Sequence, residues 1–267
     1  MRMLMTATRI MSRNPAAIRI ALALAAVVAT VACGTKDAAA PLSASGPVGR
    51  VRIVNLITDT TRGRVNAILE GVPFGVNLTY TQSAPATLPA PSTAPYASVL
   101  TGQRQFVLKR TADTNVTVAT LPFTVNEGQD VSVFATGGAG GSTVASFVTV
   151  DDNPAVATTA MRVRVVNGSP TAGAVDVFIT AVGADLATAT PVATNLAYRS
   201  ASVYVTPAPG TYQVRAVPAG TAPANRGAAT TITLASTALT GGSTRTIVLA
   251  DNTTGGAPLR AFVLTDR

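Results

Sequence analysis

The chain has 267 residues, of which 47% are hydrophobic, 12% charged and 4% aromatic. This length suits two domains rather than one, and the low charge with abundant apolar residues excludes an intrinsically disordered chain. Because five Tyr, seven Phe and no Trp must serve two cores, the composition also disfavours an aromatic platform for sugars or bases.

The net charge of +8 belongs largely to the N-terminus. Four of the 20 basic residues precede Cys33, and no acidic residue does. Without those four the net charge falls to +4. The basic balance is therefore typical of an export signal, and we predict no nucleic-acid partner.

The N-terminal segment has the organisation of a secretory signal. A basic region is followed by an apolar run at 20–31, which is too short to span a bilayer but fits the ~7 to 15 residues of a signal core. The run ends in TVAC at 30–33, which resembles the lipobox of bacterial lipoproteins. The resemblance implies a signal peptide at 1–32, cleavage after Ala32 and lipid attachment to Cys33, the single cysteine of the chain.

Two other interpretations of this segment stay open. An ordinary secretory signal would be cut at the AAA of 38–40, and an uncleaved run would remain as an anchor. In the lipoprotein interpretation, residues 33–50 form a flexible tether after the lipidated cysteine, since they are small, polar and interrupted by Pro and Gly. Gly34 favours the outer membrane, so we expect an exported protein that is lipid-anchored in the cell envelope.

The rest of the chain contains an internal repeat. The matching segments are VRIVN at 51–55 and VRVVN at 163–167, NLTY at 77–80 and NLAY at 195–198, ASV at 97–99 and at 201–203, and ASFV at 145–148 with RAFV at 260–263. We predict two tandem domains, at 51–152 and 161–267, joined by a linker at 153–160. The Pro-rich stretch 81–95 has no counterpart in the second copy and is predicted to be a loop.

Each copy consists of short β-branched runs between turn residues, with no helical periodicity. The strands predicted in the second copy are 161–167, 174–180, 201–206, 211–217, 230–235, 245–250 and 259–264. Seven short strands predict an all-β fold, with two tandem immunoglobulin-like antiparallel β-sandwich domains. The glycine runs at 137–141 and 241–242 are predicted to be hairpin turns.

The segment VRVVNGSPTAGAVDVFI at 163–179, with NLAY, SVYV at 202–205 and PGTYQVRA at 209–216, resembles the bacterial family called domain of unknown function 4397. The resemblance implies an immunoglobulin-like fold in a secreted or surface-attached protein, often a lipoprotein with repeated domains. It is clearer in the second copy, because the first has Asn66 in place of Asp176. The family's function is unassigned, so the resemblance carries over no active residues.

The sequence offers little catalytic chemistry. It contains no His, and Cys33 is assigned to lipid, which excludes Ser-His-Asp and Cys-His catalysis and zinc sites built on His or Cys. We predict no catalytic residue and no cofactor. Asp151 and Asp152, at the junction between the domains, are candidate calcium ligands, or else part of a polar turn. Asp176 is predicted to be exposed and bonded to nearby backbone.

Several cations alternate along the predicted strands and are expected to be exposed. They are Arg52, Lys109, Arg162, Arg164, Arg215 and Arg245. Such charges could face anionic lipid or polysaccharide, or could simply keep the sheets soluble.

The leading hypothesis is a non-enzymatic, membrane-anchored envelope lipoprotein that displays two β-sandwich domains for adhesion, contact with a polymer or matrix, or structural spacing. The expected partners are the membrane, through the N-terminal lipid, and envelope polysaccharide or another surface protein. One alternative is a carbohydrate-active enzyme or its accessory subunit, which would need two carboxylates converging across a groove at ~5 to 10 Å. Another is a periplasmic ligand-binding protein, which would need an enclosed apolar pocket.

Overall fold

The computed structural model describes residues 46–85 and 95–267, and the regular secondary structure of these residues is almost entirely β-strand. The prediction of an all-β fold is confirmed. The predicted signal peptide, the cleavage site after Ala32 and the lipid attachment site Cys33 lie outside the described residues, as do 34–45 and 86–94. Among the described residues, no helix is long and apolar enough to cross a membrane.

The first sandwich contains nine strands. They are β1 Val48–Ile57, β2 Val65–Leu69, β3 Val72–Leu78, β4 Ser83–Ala84, β5 Ala97–Leu100, β6 Gly102–Arg110, β7 Asp113–Val125, β8 Asp130–Gly137 and β9 Val144–Asp151. One sheet has the order β4-β1-β8-β9, with β5 also pairing with β1, and we call it the first interface sheet. The other has the order β3-β2-β6-β7, and we call it the first outer sheet.

The second sandwich repeats this topology with eight strands. They are β10 Arg162–Asn167, β11 Val175–Thr180, β12 Ala193–Leu196, β13 Ser200–Ala201, β14 Gly210–Pro218, β15 Ile232–Leu239, β16 Thr244–Ala250 and β17 Arg260–Thr265. The second interface sheet has the order β13-β10-β16-β17, and the second outer sheet has the order β12-β11-β14-β15. Both sandwiches lie within one compact unit, residues 46–267.

The sheets are not purely antiparallel. β1 runs parallel to β8 over eight residue pairs, and β10 runs parallel to β16. A parallel pair requires a crossover, and here the strands of the outer sheet form it. The antiparallel prediction is therefore wrong for one strand pair in each sandwich.

Each sandwich has its own core between its two sheets. The side chains alternate as expected of strands, so that Val51 and Ile53 point inward from β1, and Val163 and Val165 point inward from β10. In β14, Val214 and Ala216 are fully buried in the second core. The fully buried aromatic side chain of the first core is Phe106, whose ring stacks on Phe123.

The repeated asparagine at the end of β1 and β10 has a structural role. The Asn55 Nδ2 donates to the carbonyls of Gly63 at 2.7 Å and Leu78 at 3.0 Å. Asn167 makes the same two bonds, to Gly173 at 2.8 Å and to the residue that ends β12 at 3.0 Å. Because these acceptors lie in the following loop and in an outer sheet, the motif asparagine ties each interface sheet to its outer sheet.

The strand pairing corrects one part of the predicted repeat. Val51 pairs with Ala97, and in the second sandwich the equivalent Val163 bridges to Val205. Ala97 is therefore equivalent to Val205 and not to Ala201. The prediction of a loop over 81–95 is wrong at Ser83–Ala84, which form β4. The extra residues of the first copy lie between β4 and β5, whereas the second copy continues from β13 to the bridging residue with only three residues between them.

Other boundaries also differ from the prediction. β1 begins at Val48, so the last three residues of the predicted tether at 33–50 belong to the first strand. The glycines at 137–141 lie at the β8–β9 hairpin, as predicted, but those at 241–242 join strands of different sheets and form no hairpin. The short β12 was missed, since the segment at 193–196 has only two β-branched or large apolar residues.

Candidate functional site

The two interface sheets pack against each other and form a continuous apolar layer. Its buried members are Val54, Leu56, Phe134, Val166, Val248, Ala250 and Leu264. The Phe134 ring stacks on Phe147 with centroids 4.8 Å apart. Two polar contacts also cross this layer: the Thr136 hydroxyl donates to the Gly168 carbonyl at 2.8 Å, and the Tyr80 hydroxyl donates to the Asp251 carbonyl at 2.6 Å.

The two repeated arginines lie inside this interface. The sequence predicted Arg52 and Arg164 to be exposed, but they are only 1% and 3% exposed. Both point away from the core of their own sandwich, as strand alternation requires. The prediction was wrong because the face onto which they point is covered by the other sandwich.

Each arginine forms an ion pair with an aspartate of the opposite sandwich. The Arg52 Nη2 donates to the Asp266 Oδ1 at 2.6 Å, and the Arg52 Nη1 donates to the Thr265 carbonyl at 2.9 Å. The Arg164 Nη2 likewise donates to Asp151, and its Nη1 donates to the carbonyl before that aspartate at 3.1 Å. The two crossed ion pairs are therefore related by the approximate twofold symmetry of the repeat.

In each sandwich a hydroxyl connects that sandwich's own arginine to its own aspartate. Ser132 accepts from the Arg52 Nε at 2.6 Å and donates to Asp151. Thr246 accepts from the arginine of the second sandwich at 3.0 Å and donates to Asp266 at 2.6 Å. The crossed pairs and the hydroxyls thus form one buried network with satisfied charges, as burial of charge requires.

A tyrosine ring covers each guanidinium. The Tyr96 ring centroid lies 4.6 Å from the Arg52 Cζ, and the Tyr204 centroid lies 4.9 Å from the Arg164 Cζ. The Tyr96 hydroxyl donates to the Asp151 Oδ2 at 2.6 Å. The buried Tyr204 hydroxyl has no partner within the described part of the chain. The network is therefore symmetric in its arginines and aspartates but not in its tyrosines.

Burial dominates the ionisation of these groups. It raises the pKa of Asp266, an effect that the Arg52 charge opposes, and it raises the pKa of the Tyr96 hydroxyl far above its usual range. Burial disfavours the charged form of Arg52, but Asp266, Tyr96 and Asp151 outweigh it and raise the pKa of the guanidinium. The pKa of Arg164 is raised in the same way, with Asp151 as the largest opposing charge, so the environment of both arginines favours their charged forms.

Two carboxylates do converge, but not in a groove. Asp151 and Asp266 both approach the Arg52 Nη2, at 3.5 and 2.6 Å. Each carboxylate side chain is 0% exposed, so a substrate has no access to either. This arrangement does not meet the requirement of the carbohydrate-active enzyme hypothesis.

The structure separates the two candidate calcium ligands. Asp151 is inside the interface, where the hydrogen bonds of the network occupy its oxygens, whereas the Asp152 side chain is 70% exposed and pairs with Arg162 at 2.7 Å. No group of three acidic side chains that could hold a metal occurs within 46–85 and 95–267. We therefore assign Asp151 to the interface and Asp152 to a surface ion pair.

Asp176 has the predicted backbone partners but not the predicted exposure. It is buried and accepts from the backbone N–H of Asn195 at 2.8 Å and of Gly220 at 3.1 Å. Its equivalent Asn66 accepts from the N–H of Asn77 at 2.8 Å. Asn77 and Asn195 both have positive φ and lie in β3 and β12, where the pairing with the neighbouring strand shifts register. These acceptors therefore hold an irregularity in the first strand of each outer sheet.

The other predicted surface cations are partly buried and bonded. Lys109 donates to the Thr117 hydroxyl at 2.8 Å, Arg215 donates to the Ala184 carbonyl at 2.5 Å, and Arg245 donates to a threonine hydroxyl of β17. Each of these three cations is therefore bonded within its own sandwich.

Among the described residues, one surface depression lies on the first outer sheet and another lies at the edge of the interface, where Thr254 of the second sandwich meets the first. The larger, about 530 Å³, is lined by Glu70, Gln103, Arg104, Gln105, Pro122, Phe123 and Thr124 of the first outer sheet. The smaller, about 400 Å³, is lined by Thr58, Asp59, Thr60, Thr61, Gly140, Gly141 and Thr254. Both depressions are open to solvent and carry polar side chains in their linings, unlike the enclosed apolar pocket of a ligand carrier.

Comparison with known families assigns part of the chain. Residues 49–178 match the domain of unknown function DUF4397. The chain thus carries one match to DUF4397, which spans the first sandwich and continues through β10 into β11 of the second. The match therefore lies mainly on the copy in which the sequence resemblance to DUF4397 was fainter.

No curated protein matches the chain in sequence. Among solved structures, a leucine-rich repeat protein from Bacteroides thetaiotaomicron is 12% identical with a TM-score of 0.18, over 75% of this chain and 26% of that one. A carbohydrate-binding module of family CBM26 from Eubacterium rectale, solved with maltoheptaose, is 10% identical with a TM-score of 0.22, over 81% of this chain and 96% of that one. The chain thus spans about a quarter of the leucine-rich repeat protein's length.

Asp266 was not predicted as a site residue, although the sequence contains a signal for it. FVTVD at 147–151 and FVLTD at 262–266 lie at the end of the last strand of each sandwich and place an aspartate at equivalent positions, the last residue of β9 and the residue directly after β17. Extending the repeated ASFV and RAFV segments by three residues exposes this match. The repeat therefore contains both partners of the crossed ion pairs.

Proposed function

We propose that the chain is a non-enzymatic envelope lipoprotein, anchored through lipid on Cys33, whose two sandwiches form one unit that displays loops and sheet faces away from the membrane. In this proposal the second sandwich is a second copy of the DUF4397 domain. The displayed surfaces serve adhesion, polymer contact or spacing.

The observation that carries the proposal is the pair of crossed ion pairs, Arg52 with Asp266 and Arg164 with Asp151. Buried arginines that each need a carboxylate from the other sandwich hold the two sandwiches in one arrangement. Such an arrangement suits a spacer or a display protein, because surfaces on both sandwiches keep fixed relative positions. The converged carboxylates inside the interface serve this role, and their inaccessibility speaks against hydrolysis.

The anchor itself is tested by fractionating cells that express the full chain or its Cys33→Ala variant. We expect the wild-type chain in the membrane fraction, with a mature N-terminus whose mass corresponds to a lipid-modified Cys33, and the variant in the soluble fraction. Thr35→Ala, two residues away, is the control and should stay in the membrane. An unmodified wild-type chain that begins at Pro41 would contradict the proposal.

A further inference from the structure

We infer that the depression on the first outer sheet, formed by β6, β7 and the β2–β3 turn, is a binding site for an uncharged polysaccharide. The inference rests on the proposed function and specifies the surface that makes polymer contact. The outer sheets of the two sandwiches have the same topology, but the side chains and connections on their outer faces differ.

In the second sandwich the outer sheet is covered. The connection between β11 and β12 places Leu186 against Phe178 and Val217, and together they form a separate buried cluster. Arg226 lies over the Phe178 ring at 5.0 Å and donates to the carbonyls of Leu186 and Ala189 at 3.3 and 3.1 Å. This face is therefore occupied by the chain itself.

In the first sandwich the corresponding connection is the tight Glu70-Gly71 turn, and none of the residues at 46–85 and 95–267 forms a covering connection like that of the second sandwich. The register places Gln105 of β6 at the position that Gln213 occupies in β14. The Gln213 Oε1 accepts from the Gly183 N–H of the covering connection at 3.2 Å. Gln105 lies in the open depression, and its amide is exposed to solvent.

The polar groups of the depression form a line along the strands. Gln103 pairs with Thr124 and Gln105 pairs with Pro122, and all four side chains are exposed on the outer face. Side chains two residues apart on one face repeat at about 7 Å. A line of amide and hydroxyl groups matches an extended polymer better than a compact ligand.

The charge of the depression indicates an uncharged ligand. Its two ionisable lining residues neutralise each other, since the Arg104 Nη1 donates to both Glu70 oxygens at 3.0 and 2.9 Å. The Arg104 guanidinium is also held by the carbonyls of Leu100 and Thr101, both at 3.0 Å. No charge remains to attract a phosphate or a carboxylate.

Sugar hydroxyls both donate and accept hydrogen bonds, and a glutamine amide offers both functions at once. The exposed Pro122 ring adds an apolar surface for the C–H face of a sugar ring. A volume of about 530 Å³ lies in the ordinary range of ligand sites. An uncharged glycan is therefore the ligand class that fits the amides, the hydroxyl, the ring and the neutralised charge together.

The test measures binding of the full chain to dextran, mannan and cellohexaose, with anionic alginate as comparator. The variant Gln103→Ala/Gln105→Ala removes two exposed amides and should weaken binding about tenfold or more, since each lost hydrogen bond weakens binding severalfold. The matched control Gln213→Ala, at the covered equivalent position, should bind like wild type. Unchanged unfolding midpoints would show that both variants are folded.

Binding to at least one uncharged polymer with this pattern of variants supports the inference. Failure to bind any of the three, preference for alginate, or equal binding by the double variant would overturn it. None of these outcomes affects the membrane fractionation of Cys33→Ala, so failure of the binding site and failure of the anchor are separable.

Discussion

Arg52 and Arg164 occupy equivalent positions in the two halves of the repeat, and each donates to an aspartate of the half to which it does not belong. Each arginine lies on the outer face of its own sandwich and is buried because the other sandwich covers that face. The repeat supplies both partners twice, so a single pairing pattern satisfies all four charges.

Removing one member of a crossed pair should be far more costly than removing a surface charge. Asp266→Ala leaves the Arg52 charge buried without its closest carboxylate, for which we expect a loss of about 3 to 5 kcal/mol in the free energy of unfolding. The control is Asp152→Ala, which removes the exposed partner of Arg162 and should cost at most about 1 kcal/mol. Urea unfolding of the full chain measures both, and equal costs would contradict the assigned role.

The two tyrosines provide a second matched comparison. Tyr96→Phe removes a hydrogen bond to the Asp151 carboxylate and should cost about 1.5 to 3 kcal/mol. Tyr204→Phe removes a buried hydroxyl that has no partner among the described residues, so its stability should be unchanged or slightly raised. Thermal and urea unfolding distinguish the two, and a larger loss in Tyr204→Phe would refute the asymmetry of the network.

Close approach of the sandwiches should make one glycine hard to replace. A Cβ on Gly168 would lie 2.5 Å from the Leu56 Cδ1 across the interface, so we expect Gly168→Ala to cost about 1 to 3 kcal/mol. Gly227 is exposed with open space around its Cβ position, and Gly227→Ala should be neutral or stabilising. If calorimetry found the two variants equally stable, the packing at Gly168 would not matter.

Strand alternation predicted the fold class and much of the core, because each sheet buries one face against its partner sheet. It also placed Arg52 correctly on the face opposite Val51 and Ile53. It could not show what covers that face, since alternation describes one sheet and not the packing of two sandwiches. The apolar Val54 and Leu56 on the same face as Arg52 were the available sign that β1 is buried on both sides.

The candidate sites were predicted less well than the fold. Asp151 and Asp152 are adjacent in sequence, but Asp151 is the last residue of β9 and faces the interface, whereas Asp152 follows the strand and is exposed. Gln105 attracted no prediction because a lone glutamine on a strand has no distinguishing pattern. Its environment differs from that of Gln213 only because the connection between β11 and β12 is long and that between β2 and β3 is short.

The central claim is that the crossed ion pairs join the two sandwiches into one unit, and hydrogen exchange of the full chain tests it most directly. In Asp266→Ala we expect amide protection to fall together in β1 and β8 of the first sandwich and in β10 and β16 of the second, because Asp266 pairs with Arg52 across the interface. Loss of protection confined to the second sandwich, with β1 and β8 unchanged, would contradict the claim.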